Sequence, residues 1–205
     1  MPLVTPERLD LILAAIARGE VVAIPTDTVY GLAARADDAA AVAGIADLKG
    51  RSAQQPIQLL VSSVEAIAPH LADPSALERV RPFWPGAVTA VVRVLPGFGG
   101  LAAAVVTPEG TVGIRMPDDA LALAVIEGCG GFLAASSANR HGEAPALTAA
   151  EVVAAFGEDL LVLDGGPRGV DEGGGLASTV VDLASDPPRV LRVGPVSARD
   201  LGLEP

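Results

Sequence analysis

Short β-branched runs that follow one another with no helix between them constrain this chain most. Val88, Val91, Val92 and Val94 predict a strand over 87–94. Val105-Val106 and Thr111–Met116 predict two more, around a Pro108–Gly110 turn. Elsewhere such runs alternate with helical patterns. Leu9, Ile12, Leu13 and Ile16 lie at helical spacing, in a helix predicted over Pro6–Arg18 with Thr5-Pro6 as its start and Gly19 as its stop. Asp37-Asp38 predicts the cap of a helix over 39–48 that Gly50 ends, and Ser62 or Ser63 caps a short one to about Leu71. Pro74 opens another to about Phe83, Asp118 caps one to Glu127, Thr148 caps one to Phe156, and Ser197 starts a last short one. The remaining strands fall at 21–25, 56–61, 132–135, 160–163, 178–183 and 189–193. Strands that adjoin directly pair antiparallel, whereas helix crossovers permit parallel pairing. The expectation is therefore one α/β domain over 1–205, with a mixed parallel and antiparallel sheet flanked by helices.

The 205 residues are half hydrophobic, enough for one sizeable core. A net charge of −11 disfavours bulk contact with a phosphate backbone. The single cysteine, Cys129, excludes an internal disulfide, predicts a reducing compartment and reads as a packing residue. Met1–Asp10 carries prolines and charges in place of a signal peptide, and no apolar run approaches the ~20 residues of a membrane span. A cytoplasmic protein without membrane contact is expected. His70 and His141 show no metal-ligand spacing, and neither a Walker A motif nor G-x-G-x-x-G is present.

Four stretches carry polar groups where chemistry can occur. Pro25-Thr-Asp-Thr-Val-Tyr-Gly-Leu32 follows the strand at 21–25, at the carboxyl end where open α/β sheets bind ligands. An extended chain puts Thr26 and Thr28 on one face and Asp27 on the other; the alternative is a polar turn capped by Thr26 or Asp27. Lys49-Gly50-Arg51 holds the one lysine, against thirteen arginines, just past a helix end. It reads either as a phosphate-binding pair or as a basic helix terminus. Thr111, Gly113 and Arg115 share a strand face, and Arg115 needs an anionic partner there, either Asp118 or Asp119 or a substrate carboxylate. Ser136-Ser-Ala-Asn139 offers hydroxyls, an amide and backbone N–H groups to an anion. Trp84-Pro-Gly86 reads as a turn anchoring the core edge, and Gly165–Gly175, with six glycines, as a long mobile loop.

In order, these pieces resemble the YrdC/Sua5 family of threonylcarbamoyl-AMP synthases. The matching residues are Pro25–Leu32, Lys49-Gly-Arg51 with Pro56, Trp84-Pro-Gly86 with Thr89, Gly113–Pro117, Ser136–Asn139 with Gly142, Ser178–Asp182, and Arg192 with Gly194. The chain is similar to the short form, without the additional C-terminal domain. The resemblance implies a twisted mixed sheet around a concave cleft, and a nucleotidyltransferase that makes threonylcarbamoyl-adenylate and pyrophosphate from L-threonine, bicarbonate and ATP. The product serves N6-threonylcarbamoylation of adenosine 37 in tRNA, through a downstream tRNA threonylcarbamoyl transferase. It further implies that Thr28, Arg115 and Ser178 hold threonine, with Ser137 between the two ligands. Lys49, Arg51, Gln55, Thr111, Asn139 and Arg192 would hold ATP, Lys49 and Arg51 acting catalytically. Mg²⁺ is expected on the phosphates, with no protein ligands of its own. Asp27 is the nearest candidate for a general base. Gln55, Gln58 and His141 depart from the family pattern on the nucleotide side. The competing readings are a noncatalytic double-stranded-RNA-binding protein of the same fold and an enzyme with a different acceptor. The net negative charge argues against direct tRNA binding.

Overall fold

A computed structural model describes residues 2–50, 57–98, 101–102, 104–169 and 175–203. The chain runs through β1 (Leu3–Val4), a 3-10 turn (Pro6–Arg8), α1 (Leu9–Ala17), β2 (Val22–Ile24), β3 (Gly31–Ala34), α2 (Ala39–Lys49), β4 (Gln58–Val61) and α3 (Val64–Ile67). Three further 3-10 stretches follow (Ala68–His70, Pro74–Arg79 and Arg81–Phe83). Then come β5 (Val88–Arg93), β6 (Thr111–Arg115), α4 (Ala120–Gly128), β7 (Phe132–Ser137), α5 (Ala149–Phe156), β8 (Leu161–Leu163), β9 (Thr179–Asp182) and β10 (Arg189–Arg192).

The strands form one ten-stranded sheet in the order β1-β8-β2-β3-β7-β4-β6-β5-β9-β10. The pairing is mixed, as the adjoining runs require. β5 and β6 pair antiparallel, Val91 opposite Gly113, while β4 and β6 pair parallel, Leu60 opposite Arg115. β5 and β9 are parallel, Thr89 beside Val180.

Strand alternation sorts side chains onto two faces. On one, Leu32, Leu59, Val61, Val88, Ala90, Val112 and Ile114 join the main core under α2 and α5. On the other, Val22, Ile24, Ala33, Leu60 and Leu133 meet Ile12 and Ile16 of α1 and Val125 and Ile126 of α4. That second layer stops at β4. Past it, Thr89 and Val91 of β5, Gly113 and Arg115 of β6, and Val180 and Asp182 of β9 face a cavity in place of a helix. The concave cleft is thus the half of one sheet face that, among the described residues, no helix covers.

Several expectations are corrected. Val105 is buried but sits in a turn, its N–H bonded to Ala102 O at 2.9 Å. No strand forms there, because β5 and β6 already have neighbours on both edges. Asp119, not Asp118, caps α4, its Oδ1 accepting the Ala122 N–H at 2.8 Å. The helix over 74–83 is two 3-10 pieces, since Pro82 removes a donor and crowds the preceding turn. The first helix likewise opens as a 3-10 turn over Pro6–Arg8, with no side-chain cap from Thr5. Strand β3 was unforeseen because Leu32-Ala33-Ala34 contains no β-branched residue. Ser197 starts no helix: it closes a turn in which its Oγ donates to Asp200 Oδ2 at 2.7 Å. Of the glycine-rich loop 165–175, residues 170–174 lie outside the described residues.

The chain beyond β10 passes very close to the chain entering β9. A Cβ on Gly194 would stand 2.4 Å from Thr179 N and 2.5 Å from Ala177 O. Both are backbone atoms, so neither side can give way. Gly194→Ala is expected to cost about 1–3 kcal/mol, as overpacking does. Urea unfolding checks this, and a change under about 0.5 kcal/mol, the scale of a neutral surface change, would contradict it.

Candidate active site

The cavity encloses about 690 Å³, within the range of small-molecule sites. Its floor is the bare sheet face, and one wall is the turn after β2. That turn is not extended. Thr26 Oγ1 donates to Val29 O at 2.6 Å and accepts the N–H groups of Thr28 and Val29 at 3.3 Å each. The polar-turn alternative therefore describes its backbone. The tight turn points Thr28 and Asp27 together at β6.

They meet Arg115, whose side chain is 3% exposed. Its Nε donates to Gly86 O at 3.0 Å, Nη1 to Thr28 Oγ1 at 2.9 Å and Nη2 to Asp27 Oδ1 at 2.6 Å. The counter-ion is thus Asp27 and neither Asp118 nor Asp119; Asp119 pairs instead with Arg168 at 2.8 Å. Burial pushes the Arg115 pKa down, and Asp27 opposes that shift. Since Asp27 Oδ1 is engaged by a cation, the residue acts as counter-ion before it can act as base.

A second arginine enters from β10. Arg192 Nε and Nη2 donate to Ser178 O at 3.0 and 2.8 Å, and Nη2 also to Ser178 Oγ at 3.2 Å. Its pKa is lowered, first by burial and then by repulsion from Arg115. Two guanidinium groups therefore face one cavity and feel each other. An anion placed between them relieves that repulsion.

Ser178 is 2% exposed and its Oγ lies 2.8 Å from Thr89 Oγ1, which in turn donates to Gln58 Oε1 at 3.1 Å. Thr111, at the far end of β6, also borders the cavity, its Oγ1 2.7 Å from Thr107 Oγ1. Ser136 and Ser137, the last two residues of β7, also border the cavity.

Of the residues expected in the site, Thr28, Arg115, Ser137, Ser178, Thr111 and Arg192 all border this cavity. Lys49 and Asn139 stand behind its wall. The Lys49 side chain is buried, and its ammonium donates to the carbonyls of Ser137 and Asn139 and, at 3.0 Å, to Asn139 Oδ1. Asn139 Nδ2 holds Arg140 O and Glu143 O at 2.9 Å each. Lys49 thereby ties the end of α2 to the Ser-Ser-Ala-Asn turn. Arg51 and Gln55 lie outside the described residues. Thr89, expected only as a family-matching position, and Gln58, expected only as a departure on the nucleotide side, both line the cavity. The signal for Thr89 was present, a hydroxyl alternating with Val88 and Ala90 along an otherwise apolar strand.

The fold and site define a class: a mixed-sheet α/β protein with an arginine-lined cavity, Arg93, Arg115, Arg189 and Arg192 all bordering it, suited to a small carboxylate or phosphate ligand. The profile of the Sua5/YciO/YrdC domain, described as "Telomere recombination", matches residues 14–194. The chain belongs to this family. A Mycobacterium tuberculosis relative is 40% identical over 90% of this chain and 83% of its own. The threonylcarbamoyl-AMP synthase of Chromohalobacter salexigens is 37% identical over 88% of this chain and 95% of its own. The crystal structure of Pyrococcus abyssi Sua5 complexed with L-threonine superposes with a TM-score of 0.88 at 30% identity, covering 98% of this chain. This chain spans only 60% of that Sua5.

The ion pair makes a stability prediction. Asp27 is 15% exposed while Arg115 is 3% exposed. Removing Asp27 strands the more deeply buried charge, so Asp27→Ala is expected to destabilise the protein by about 3 kcal/mol. Denaturant unfolding of the purified variant measures it. A loss below about 1 kcal/mol, the scale of an exposed pair, would show that solvent already screens Arg115.

Proposed function

We propose that the protein is an L-threonylcarbamoyladenylate synthase, converting L-threonine, bicarbonate and ATP to threonylcarbamoyl-AMP and pyrophosphate. The observation that carries this reading is Arg115. It is a buried guanidinium bonded to a hydroxyl and a carboxylate of one turn, at the edge of a cavity with room for an amino acid and a nucleotide. Gly86 O, Thr28 Oγ1 and Asp27 Oδ1 take three of the five N–H protons of Arg115, one from each nitrogen. A substrate carboxylate accepts from the second protons of Nη1 and Nη2, while Thr28 and Ser178 line the same cavity to orient the rest of the amino acid.

The chemistry then follows from charge. Threonine's amine takes up the carboxyl carbon of bicarbonate with loss of water, and a carbamate oxygen attacks the α-phosphorus. The bond from that phosphorus to pyrophosphate breaks, and pyrophosphate leaves with the electron pair. Negative charge grows on phosphate oxygens, and fixed cations stabilise it. In this reading Arg192 takes that role, with Thr111 and Ser137 bordering the same cavity. Arg51 and Gln55 complete the nucleotide side in this reading. Lys49 acts there by holding the Ser137–Asn139 turn in place.

Among the described residues no three His, Cys, Asp or Glu side chains converge as metal ligands. Mg²⁺ in this account is carried by the phosphates of ATP, and supplies charge neutralisation there. Among the described residues no helix is long and apolar enough to cross a membrane. We place the protein in the cytoplasm, handing its adenylate to a tRNA threonylcarbamoyl transferase for modification of adenosine 37.

The test is pyrophosphate release that requires ATP, threonine and bicarbonate together. Arg115→Ala is expected to keep ATP use while weakening threonine binding by about 1.5–3 kcal/mol, the scale of a hydrogen bond to a charged group. Unchanged threonine affinity in the folded variant would move the amino acid elsewhere. Absence of threonine-dependent release in the wild type would overturn the reading.

A further inference from the structure

Gln58 is a polar residue on a strand otherwise made of Leu59, Leu60 and Val61, all buried. β4 lies inside the sheet, between β7 and β6, so its side chains are reached only from a face. Gln58 shares the cavity face with Leu60, and its neighbour across β6 is Gly113. Without a side chain there, Gln58 and Thr89 meet across the gap: Gln58 Cβ and Thr89 Cγ2 lie 3.9 and 3.4 Å from where a Gly113 Cβ would be.

The hydrogen bonds fix which way the amide faces. Arginine can only donate, so Ser178 Oγ accepts from Arg192 Nη2. The Ser178 proton is then free for Thr89 Oγ1, at 2.8 Å, and the Thr89 proton goes to Gln58 Oε1, at 3.1 Å. This ordering gives every hydroxyl proton an acceptor. The reverse leaves the Ser178 proton with none. The chain Arg192→Ser178→Thr89→Gln58 therefore holds the amide oxygen against the wall. Its NH₂ has no partner among the described residues, nor is it sealed from solvent. A two-proton donor, polarised by a distant cation, opens onto the cavity floor.

Leu60 is paired with Arg115, so Gln58 sits two residues, roughly 7 Å, along β4 from the residue beside the carboxylate-binding arginine. Both Gln58 and Arg115 line the same cavity, so the two carboxyl groups of an N-carboxylated amino acid have separate residues to meet. We propose that the Gln58 amide holds the bicarbonate-derived carboxyl group, so that Gln58 recognises the carbamate formed on the amino acid. The inference rests on the synthase reading given above. In it the amine forms a bond to the carbon of bicarbonate, the C–OH bond of bicarbonate breaks, and the amine's proton leaves with that hydroxyl as water. One carbamate oxygen accepts from Gln58 Nε2, while the other is left to attack the α-phosphorus and expel pyrophosphate.

The experiment compares wild type, Gln58→Leu and Gln58→Glu in bicarbonate-depleted buffer, titrating bicarbonate back and measuring pyrophosphate release. Threonine affinity is measured separately by calorimetry. Gln58→Leu is expected to raise the half-saturating bicarbonate concentration at least about tenfold, as loss of a bond to a charged group does, with threonine affinity within about twofold. Gln58→Glu separates this role from a structural one. Its carboxylate still accepts from Thr89 but turns the free donor into an acceptor, so the proposal requires it to be worse than Gln58→Leu. Gln58→Glu equal to wild type, or Gln58→Leu with unchanged bicarbonate dependence, would overturn the assignment and leave the synthase reading intact. No threonine-dependent release in the wild type would remove both.

Discussion

The buried charge of Arg115 is the interaction on which the site depends. An arginine on the inner face of a strand is costly unless every arm of its fork is met. Here Gly86 O, Thr28 Oγ1 and Asp27 Oδ1 meet the three nitrogens. The partners come from two separate turns. Gly86 follows the Trp84 turn, and Trp84 is itself pinned by its Nε1 to Val88 O at 2.7 Å. Thr28 and Asp27 are aimed by the Thr26-capped turn. The satisfied fork therefore locks the turn after β2 to β6 and to the entrance of β5, three segments far apart in sequence.

A second constraint is the missing layer. α1 and α4 cover the same sheet face from β1 to β4 and stop. The alternation that buries Val112 and Ile114 below puts Thr111, Gly113 and Arg115 above, where no helix of the described residues covers them. Polar side chains on that face need no packing partner because they meet solvent or ligand. One strand pattern thus explains both the core and the cavity. Tyr30 shows how the rim is closed at the other end. It is fully buried, and its hydroxyl accepts the Gly165 N–H and donates to Gly166 O. Burial raises its pKa, so it remains a neutral phenol that ties the foot of the glycine-rich segment to the core.

Much of this was legible in the chain. The valine-rich runs at 88–94 and 111–116 predicted adjoining strands, and Arg115 among apolar neighbours predicted a buried cation in search of an anion. The partner was not legible. Asp118 and Asp119 are near in sequence, whereas Asp27 reaches Arg115 only because the sheet order brings the two segments together. Lys49 shows the same limit: its singularity marked it, but only the fold shows its ammonium turned toward the Ser137 and Asn139 carbonyls. Val105-Val106 failed for the opposite reason. Local preference favoured a strand, but β5 and β6, the strands on either side of it in sequence, already had neighbours on both edges.

The central claim is that Arg115 and its turn recognise an α-carboxylate. Calorimetric titration with L-threonine and with L-threoninol, which lacks only that carboxylate, tests it most directly. The account predicts that threonine binds and that threoninol binds at least about tenfold more weakly, the loss of one charge-assisted contact. Equal affinity for the two would contradict it.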